Sequence, residues 1–306
     1  MGEMRAYISE GQAWAGSPPQ KLCLCASSDV DGCCKRDAVH GRPALRSLIK
    51  RSCDLPLISQ CDAAYLRKQE TGRAQILLLF EVEPMLPEMS GPLQGDVCPV
   101  AVCCLEKITH PDLLHALAGG FDMIFLQTIG RHGLRDQLRE VELACRLGAA
   151  DRIKLFNTSR ELLQGLSQGV EWHAPVDPRV LAVGSRRDSA RASAAALLPL
   201  ERKLVPLPDQ SPYGAVVLDR DLCNSCSSCV WVCPSDALSL SENGCELNLV
   251  ETNCVQCGLC VSICPQRALG LAPQMDLSAG AVLPLRLAPA SSRSVSAAET
   301  RRQDVS

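Results

Sequence analysis

Short apolar runs alternate with amphipathic segments over the first half of the chain. Predicted strands occupy residues 21–25, 54–59, 74–82, 98–104, 122–127 and 152–156. Predicted helices occupy residues 43–51, 62–69, 110–117, 134–147 and 159–166. Because strands that alternate with helices form parallel sheets covered by helices, we expect an α/β region. It forms either two small lobes, over residues 20–90 and 97–170, or one continuous sheet.

Other stretches lack this alternation. Residues 171–212 are rich in proline, alanine and arginine and predict a linker with one short helix over residues 185–198. We interpret its RRDSAR segment, residues 186–191, as a solvated basic face, with a contact to a partner as the alternative. Residues 276–306 are rich in alanine, serine and arginine without periodicity, so we expect a disordered tail there, and also disorder over residues 1–19.

An internal repeat follows the linker. Four cysteines recur after 31 residues with the spacing C-x2-C-x2-C-x3-C-P, and Pro234 maps onto Pro265. Such a recurrence indicates two copies of one supersecondary unit. Residues 237–250, which lie between the copies, predict a hairpin with a turn at residues 241–244. The repeated cysteines are Cys223, Cys226, Cys229 and Cys233, then Cys254, Cys257, Cys260 and Cys264.

The spacing of these cysteines is typical of iron–sulfur clusters. The first three cysteines of each repeat, separated from one another by two residues, hold three irons of a cubane. The fourth cysteine ligates the cluster of the other repeat. Two zinc sites are the alternative, although zinc sites usually combine separated C-x2-C pairs. We therefore assign cluster I to Cys223, Cys226, Cys229 and Cys264, and cluster II to Cys254, Cys257, Cys260 and Cys233.

With these motifs, residues 213–273 resemble the bacterial two-cluster 4Fe–4S ferredoxins. The resemblance implies an α+β ferredoxin domain over residues 213–275, with two 4Fe–4S clusters and a role in electron transfer. Cys245 follows the hairpin turn and has no counterpart in the repeat, so we expect it to be a strand residue. Trp231 lies inside the first cysteine loop, and we expect it to shield the cluster from water.

Composition and charge narrow the range of possible partners and compartments. The chain has 306 residues, 19 cysteines and a net charge of −3, which disfavours binding to duplex nucleic acid. No apolar run is long enough to span a membrane, and the N-terminus lacks a secretory signal, so we expect a cytoplasmic protein with reduced cysteines. Residues 213–274 carry six acidic and two basic side chains, which suits a basic patch on a redox partner.

Ten cysteines precede the repeat, and three uses for them stay open. They are buried apolar residues, or thiols active in redox chemistry at Cys33–Cys34 or Cys103–Cys104, or ligands of a third cluster. The candidate ligands of that cluster are Cys23 or Cys25, Cys33 or Cys34, Cys53 and Cys61. The region has no flavin or nicotinamide motif, the pair Gly119–Gly120 is interpreted as a helix C-cap, and the five histidines show no metal spacing.

Two further resemblances concern the α/β region. Residues 98–168 resemble the delta subunit of methyl-viologen-reducing hydrogenase through VAVCC, DLLHALAGG, DMIFLQ and the LRDQLREVELACRLG helix. Residues 128–136 (TIGRHGLRD) stand where that family has C-H-P-G-D-C, which implies that its 2Fe–2S cluster is lost while the fold remains. Residues 20–83 resemble the N-terminal iron–sulfur domain of the A-type subunit of heterodisulfide reductase through LCLC, Cys61 and ILLLF, with Phe80 and Glu81 in place of a cysteine. The whole arrangement is similar to the 4Fe–4S binding proteins of proteobacteria.

These observations predict an iron–sulfur electron-transfer protein that passes single electrons through two 4Fe–4S clusters. Its expected partners are redox proteins, such as a dehydrogenase, a hydrogenase or a heterodisulfide-reductase-like complex, and the α/β region would serve for docking. The sequence shows no general acid, nucleophile or substrate pocket, so we expect a carrier or complex component rather than an enzyme. The alternatives are an electron-input component of a thiol/disulfide-type reductase that uses the N-terminal cysteines, and a redox sensor or cluster carrier.

Overall fold

The computed structural model describes residues 57–82, 84, 95–128, 130, 133–242 and 246–287. The chain divides into two compact units, Met1–Leu200 and Glu201–Ser306. No helix within the described ranges is both long and apolar enough to cross a bilayer. Several predicted features lie outside these ranges: residues 1–19, the strand 21–25, the helix 43–51, and the cysteines Cys23, Cys25, Cys33, Cys34, Cys53 and Cys245.

The described part of the first unit contains a four-stranded parallel sheet. Its strands are β1 (Ala74–Phe80), β2 (Gly95–Ala101), β3 (Met123–Gln127) and β4 (Ile153–Phe156), in the order β2-β1-β3-β4. Every residue of β1 is buried, as its unbroken apolar run predicts for a central parallel strand. β1 comes from the first predicted lobe and pairs with β2 and β3 from the second. The described strands therefore form one continuous sheet.

Within the described residues, five α-helices accompany the sheet. They are α1 (Ile58–Thr71), α2 (His110–Ala118), α3 (Leu134–Ala144), α4 (Ser159–Ser167) and α5 (Arg186–Leu197). The Thr158 side chain accepts a hydrogen bond from the Glu161 amide, which explains why α4 begins where its sequence predicts. α1 begins inside the predicted strand at residues 54–59, so that strand is wrong over its described end. Gly119 ends α2 by donating its N–H to the carbonyl of His115, which confirms the C-cap.

The helix predicted over residues 185–198 is present as α5, but its basic face is not solvated. Arg186 and Arg187 are buried. Arg186 forms an ion pair with Asp112 of α2, a helix whose nine residues are all buried. The interpretation of RRDSAR as a solvated face is therefore wrong, because an arginine that finds a buried carboxylate partner can leave water.

In its described residues, the second unit holds two three-stranded antiparallel sheets and two short α-helices. The strands are β5 (Leu204–Pro206), β6 (Gly214–Leu218), β7 (Leu238–Leu240), β8 (Leu247–Leu249), β9 (Leu269–Asp276) and β10 (Leu285–Arg286), and the helices are α6 (Ser228–Trp231) and α7 (Leu259–Ile263). One sheet has the order β5-β9-β6, and the other has the order β10-β8-β7. The antiparallel pairing of β7 with β8 confirms the predicted hairpin.

Two predicted boundaries need correction. β5 lies inside the predicted linker and pairs with the end of β9. β10 lies inside the predicted disordered tail and pairs with β8, and Leu287 beyond it is buried in the apolar core. Residues 276–287 are therefore ordered, because these short segments obtain their hydrogen bonds from strands distant in the sequence.

Candidate metal centre

The internal repeat of the sequence recurs in the backbone. Six non-helical positions of the cysteine segments have positive φ angles, a conformation uncommon outside glycine. They form three pairs, each separated by 31 residues: Ser225 and Gln256, Ser227 and Gly258, and Asp236 and Arg267. α6 and α7 begin at equivalent positions directly after the second pair. The two cysteine loops therefore follow the same path.

The strands that flank the loops are exchanged between the repeats. Leu218, just before the first loop, pairs with Leu269, which follows the last cysteine of the second repeat. Leu249, just before the second loop, pairs with Leu238, which follows the last cysteine of the first repeat. Each loop is thereby held next to the final cysteine of the other repeat.

A cavity of about 270 Å³ lies at the first loop. Its apolar lining includes Leu218, Leu247 and Leu269. Four cysteines line it, and the fourth comes from the second repeat, whereas Cys233 of the first repeat does not line it. These four are Cys223, Cys226, Cys229 and Cys264, the set predicted for cluster I.

Three of the remaining four cysteines lie in or against a shared apolar core. Cys254 and Cys260 are buried in it, and Cys233 packs against it. Burial raises the pKa of Cys260 to about 11, and the nearby thiols of Cys254 and Cys257 contribute to that rise. Thiols in such surroundings ionise with difficulty unless positive charge is bound among them, and cluster iron would supply that charge.

Hydrogen bonds reach the sulfur atoms in both repeats. The backbone amide of Ala268 donates to Cys264 Sγ at 3.3 Å, and Gln256 Nε2 donates to Cys254 Sγ at 3.4 Å. Burial opposes ionisation of Cys233, but amide and hydroxyl donors, with those of Ser235 prominent, keep its pKa below the ordinary value. Such donors stabilise thiolate charge and tune the potential of a bound cluster.

The arrangement of the donors distinguishes the two kinds of metal site that the sequence allows. Four cysteines line the cavity at the first loop, and in a cubane each thiolate binds a different iron. Zinc sites usually combine separated C-x2-C pairs instead. The all-cysteine donor set and the cavity at the first loop fit a cubane.

Comparison with known proteins agrees with this chemistry. Residues 215–265 match the family model of the 4Fe–4S dicluster domain. This segment is a ferredoxin-type 4Fe–4S domain. The chain is also similar to a ferredoxin of Pyrobaculum islandicum, with 56% identity over 32 residues that cover 10% of this chain and 30% of that protein. The similarity spans under a third of that relative's length.

The exposure of Trp231 in the ferredoxin domain is not what its expected shielding role requires. The tryptophan is 88% exposed on α6, between Cys229 and Cys233. A side chain this exposed does not shield a cluster from water, so that expectation is wrong.

Several polar residues of the ferredoxin domain were missed by sequence reasoning. Arg220 and Arg286 line the cavity, and Gln256 reaches a cysteine sulfur. The position of Gln256 within the second loop was a usable signal. Arg286 gave none, because it lies in a segment without periodicity.

Burial disfavours ionisation of two of the described cysteines in the first unit, Cys61 and Cys98. Cys61 is fully buried against the start of the Gly119–Gly120 turn, and burial raises its pKa to about 12. Burial also raises the pKa of Cys98. The interpretation of Cys61 as a buried apolar residue is confirmed, whereas the other proposed ligands of a third cluster lie outside the described residues. Cys103 and Cys104 are half-buried.

Proposed function

We propose that this chain is an electron-transfer protein that carries two 4Fe–4S clusters and passes single electrons between redox partners. Cluster I is assigned to Cys223, Cys226, Cys229 and Cys264, and cluster II to Cys254, Cys257, Cys260 and Cys233. The observation that carries the proposal is the cavity at the first loop, which collects three cysteines of one repeat and the last cysteine of the other.

A 4Fe–4S cluster supplies a one-electron redox couple. The polypeptide's contribution is to hold the thiolates, to donate hydrogen bonds to their sulfur atoms and to exclude water on the apolar side. Leu218, Leu247 and Leu269 provide that apolar side at the cavity. The two sites share one core, in which Cys260 is buried and against which Cys229 packs. A shared core supports exchange of electrons between two nearby clusters.

The proposed partners are redox proteins with a basic surface, in a hydrogenase, a dehydrogenase or a heterodisulfide-reductase-like complex. The acidic balance of residues 213–274 supports this choice, since opposite charge steers association. The α/β unit would provide a second docking surface. Burial raises the pKa of its buried Cys61 and of its half-buried Cys98, so both lack the thiolate character that thiol chemistry requires. We propose the cytoplasm as the compartment, because the many cysteines suit reducing conditions.

The proposal is tested by iron and acid-labile sulfide per chain after anaerobic purification, with EPR spectra of the reduced form. We expect about eight irons and eight sulfides, and two interacting clusters in the spectrum. About four irons would contradict the two-cluster assignment. About twelve would show a further cluster in the α/β unit.

Electron transfer needs a measurement of its own. The dithionite-reduced protein should reduce cytochrome c, a basic one-electron acceptor, at a rate that falls as salt is added. The chain stripped of iron is the control. A rate equal to that of the control would contradict a carrier function.

A further inference from the structure

We infer, on the basis of the function proposed above, that the two clusters are inequivalent and that cluster I has the higher reduction potential. The cause is positive charge that Arg220 and Arg286 place on the wall of its cavity. Electrons that enter at cluster II would therefore move downhill to cluster I.

Both arginines line the cavity that holds the four cysteines of cluster I. Arg220 donates from Nη2 at 2.8 Å, and from Nε at 3.3 Å, to the carbonyl oxygen of Leu287. Arg286 lies one residue before Leu287 and pairs through Nη2 with Glu246 Oε1 at 2.6 Å. Glu246 lines the cavity as well. The wall therefore carries two guanidinium groups and one carboxylate, a net positive charge.

The second repeat has the opposite charge at the position equivalent to Arg220. An offset of 31 residues places Glu251 there, three residues before Cys254. Glu251 is buried. Its carboxylate accepts hydrogen bonds from the Asp276 amide at 2.7 Å and from Gln274 Nε2 at 3.1 Å. Three residues after the last cysteine the contrast recurs, because Arg267 follows Cys264 whereas Asp236 follows Cys233.

Solvent exposure, like the positive charge, raises the reduction potential of cluster I relative to that of cluster II. In the first loop, Asn224, Ser225 and Cys226 are exposed, whereas Cys254 and Cys260 of the second repeat are buried. Reduction adds one electron to a cluster and makes it more negative, without forming or breaking a bond in the polypeptide. Nearby cations and water stabilise that added charge, while carboxylates and apolar burial oppose it. Each proposed cluster has a hydrogen bond to a ligand sulfur, from Ala268 to Cys264 of cluster I and from Gln256 to Cys254 of cluster II, so these bonds favour neither cluster.

The experiment is an EPR-monitored redox titration of the holoprotein. We expect two potentials. Arg220→Gln and Arg286→Gln should each lower the higher potential and leave the lower one in place. Glu246→Gln should raise the higher potential, because it leaves Arg286 without its carboxylate partner. The Cys226→Ser variant, which perturbs cluster I, should alter the signal of the higher potential.

Two controls separate charge from structure. Arg220→Lys also loses the forked contact to Leu287 but keeps its charge, so it should lower the potential less than Arg220→Gln does. Arg202→Gln removes an exposed charge of the same unit that does not line the cavity, and it should leave both potentials in place.

Equal potentials would overturn the inference, as would a shift confined to the lower potential or an equal effect of lysine and glutamine at residue 220. Failure of the proposed function is distinguishable from these outcomes, because it would appear as an iron content below about eight per chain.

Discussion

The backbone N–H of Asp219 donates a 2.8 Å hydrogen bond to the carbonyl oxygen of Ala268. The bond joins the residue four positions before Cys223 to the residue four positions after Cys264. It recurs, also at 2.8 Å, between the amide of Val250 and the carbonyl of Ala237. The entrance of each cysteine loop is thus bonded to the exit of the other repeat, which supports the proposed crossed assignment of the ligands.

This exchange predicts which serine substitutions have matching effects. Cys264→Ser should give the same change in the EPR spectrum as Cys226→Ser, because both residues are assigned to cluster I. Cys233→Ser should instead match Cys257→Ser, a loop variant of cluster II. The measurement is EPR of the reduced variants together with their iron content. Spectra in which Cys233→Ser matched Cys226→Ser would disprove the crossed assignment.

Much of the candidate site could be predicted from the sequence because its signal is local. The spacing of four cysteines and a proline, repeated after 31 residues, specifies both the loop and its chemistry. The pattern of apolar residues also predicts the strands of the parallel sheet. Residues 74–80 form an apolar run with a single polar residue, Gln75, and such a run is typical of a strand covered on both faces.

The rest depended on partners distant in the chain. Nothing near Arg186 in the sequence indicates that Asp112 neutralises it, so the basic segment by itself predicts a solvated face. Likewise, the two residues of β10 form a strand because they pair with the edge of β8, which lies more than thirty residues earlier in the chain. Segments this short have no periodicity of their own, and Arg286 was missed for that reason.

The buried Arg186–Asp112 pair predicts a large loss of stability when one charge is removed. Asp112→Asn should lower the free energy of unfolding of the α/β unit by about 3 kcal/mol, because Arg186 is left as an uncompensated buried charge. Asp112 also accepts hydrogen bonds from the amide and hydroxyl of Thr109 at the start of α2. Urea unfolding followed by circular dichroism provides the measurement.

A matched control is available on α3. Asp136 and Arg139 form an exposed pair, with Asp136 70% accessible, so Asp136→Asn should cost less than about 0.5 kcal/mol. In the double variant Asp112→Asn/Arg186→Met the loss should be smaller than the sum of the two single losses. Additive losses would mean that the two side chains do not interact.

Cys61 should resist alkylation in the folded protein. Burial raises its pKa to about 12, so at pH 8 only about one thiol in ten thousand is ionised, and the side chain is also closed to solvent. Iodoacetamide at pH 8 under anaerobic conditions, followed by peptide mass spectrometry, should find Cys61 unmodified. The same thiol should react in urea. Rapid labelling of Cys61 in the native state would revive the idea of a redox-active thiol in this unit.

The matched left-handed positions of the two loops predict an asymmetric effect of alanine. Gly258 has a φ of 78°, and an added Cβ would meet only Leu271 Cδ1 at 3.8 Å, so the cost of Gly258→Ala comes from the backbone conformation and is about 1 kcal/mol. Ser227 occupies the equivalent position with a φ of 64° and already bears that cost. Ser227→Ala should therefore change stability by less than about 0.5 kcal/mol.

The rate of cluster loss distinguishes the two substitutions. With a chelator present under anaerobic conditions, the visible absorbance of Gly258→Ala should decay about five times faster than that of the unmodified protein, since about 1 kcal/mol corresponds to that factor. Ser227→Ala should decay at nearly the unmodified rate. Equal rates of cluster loss in both variants would contradict this prediction. The stability of the loops would then depend on the side chains rather than on the left-handed backbone conformation.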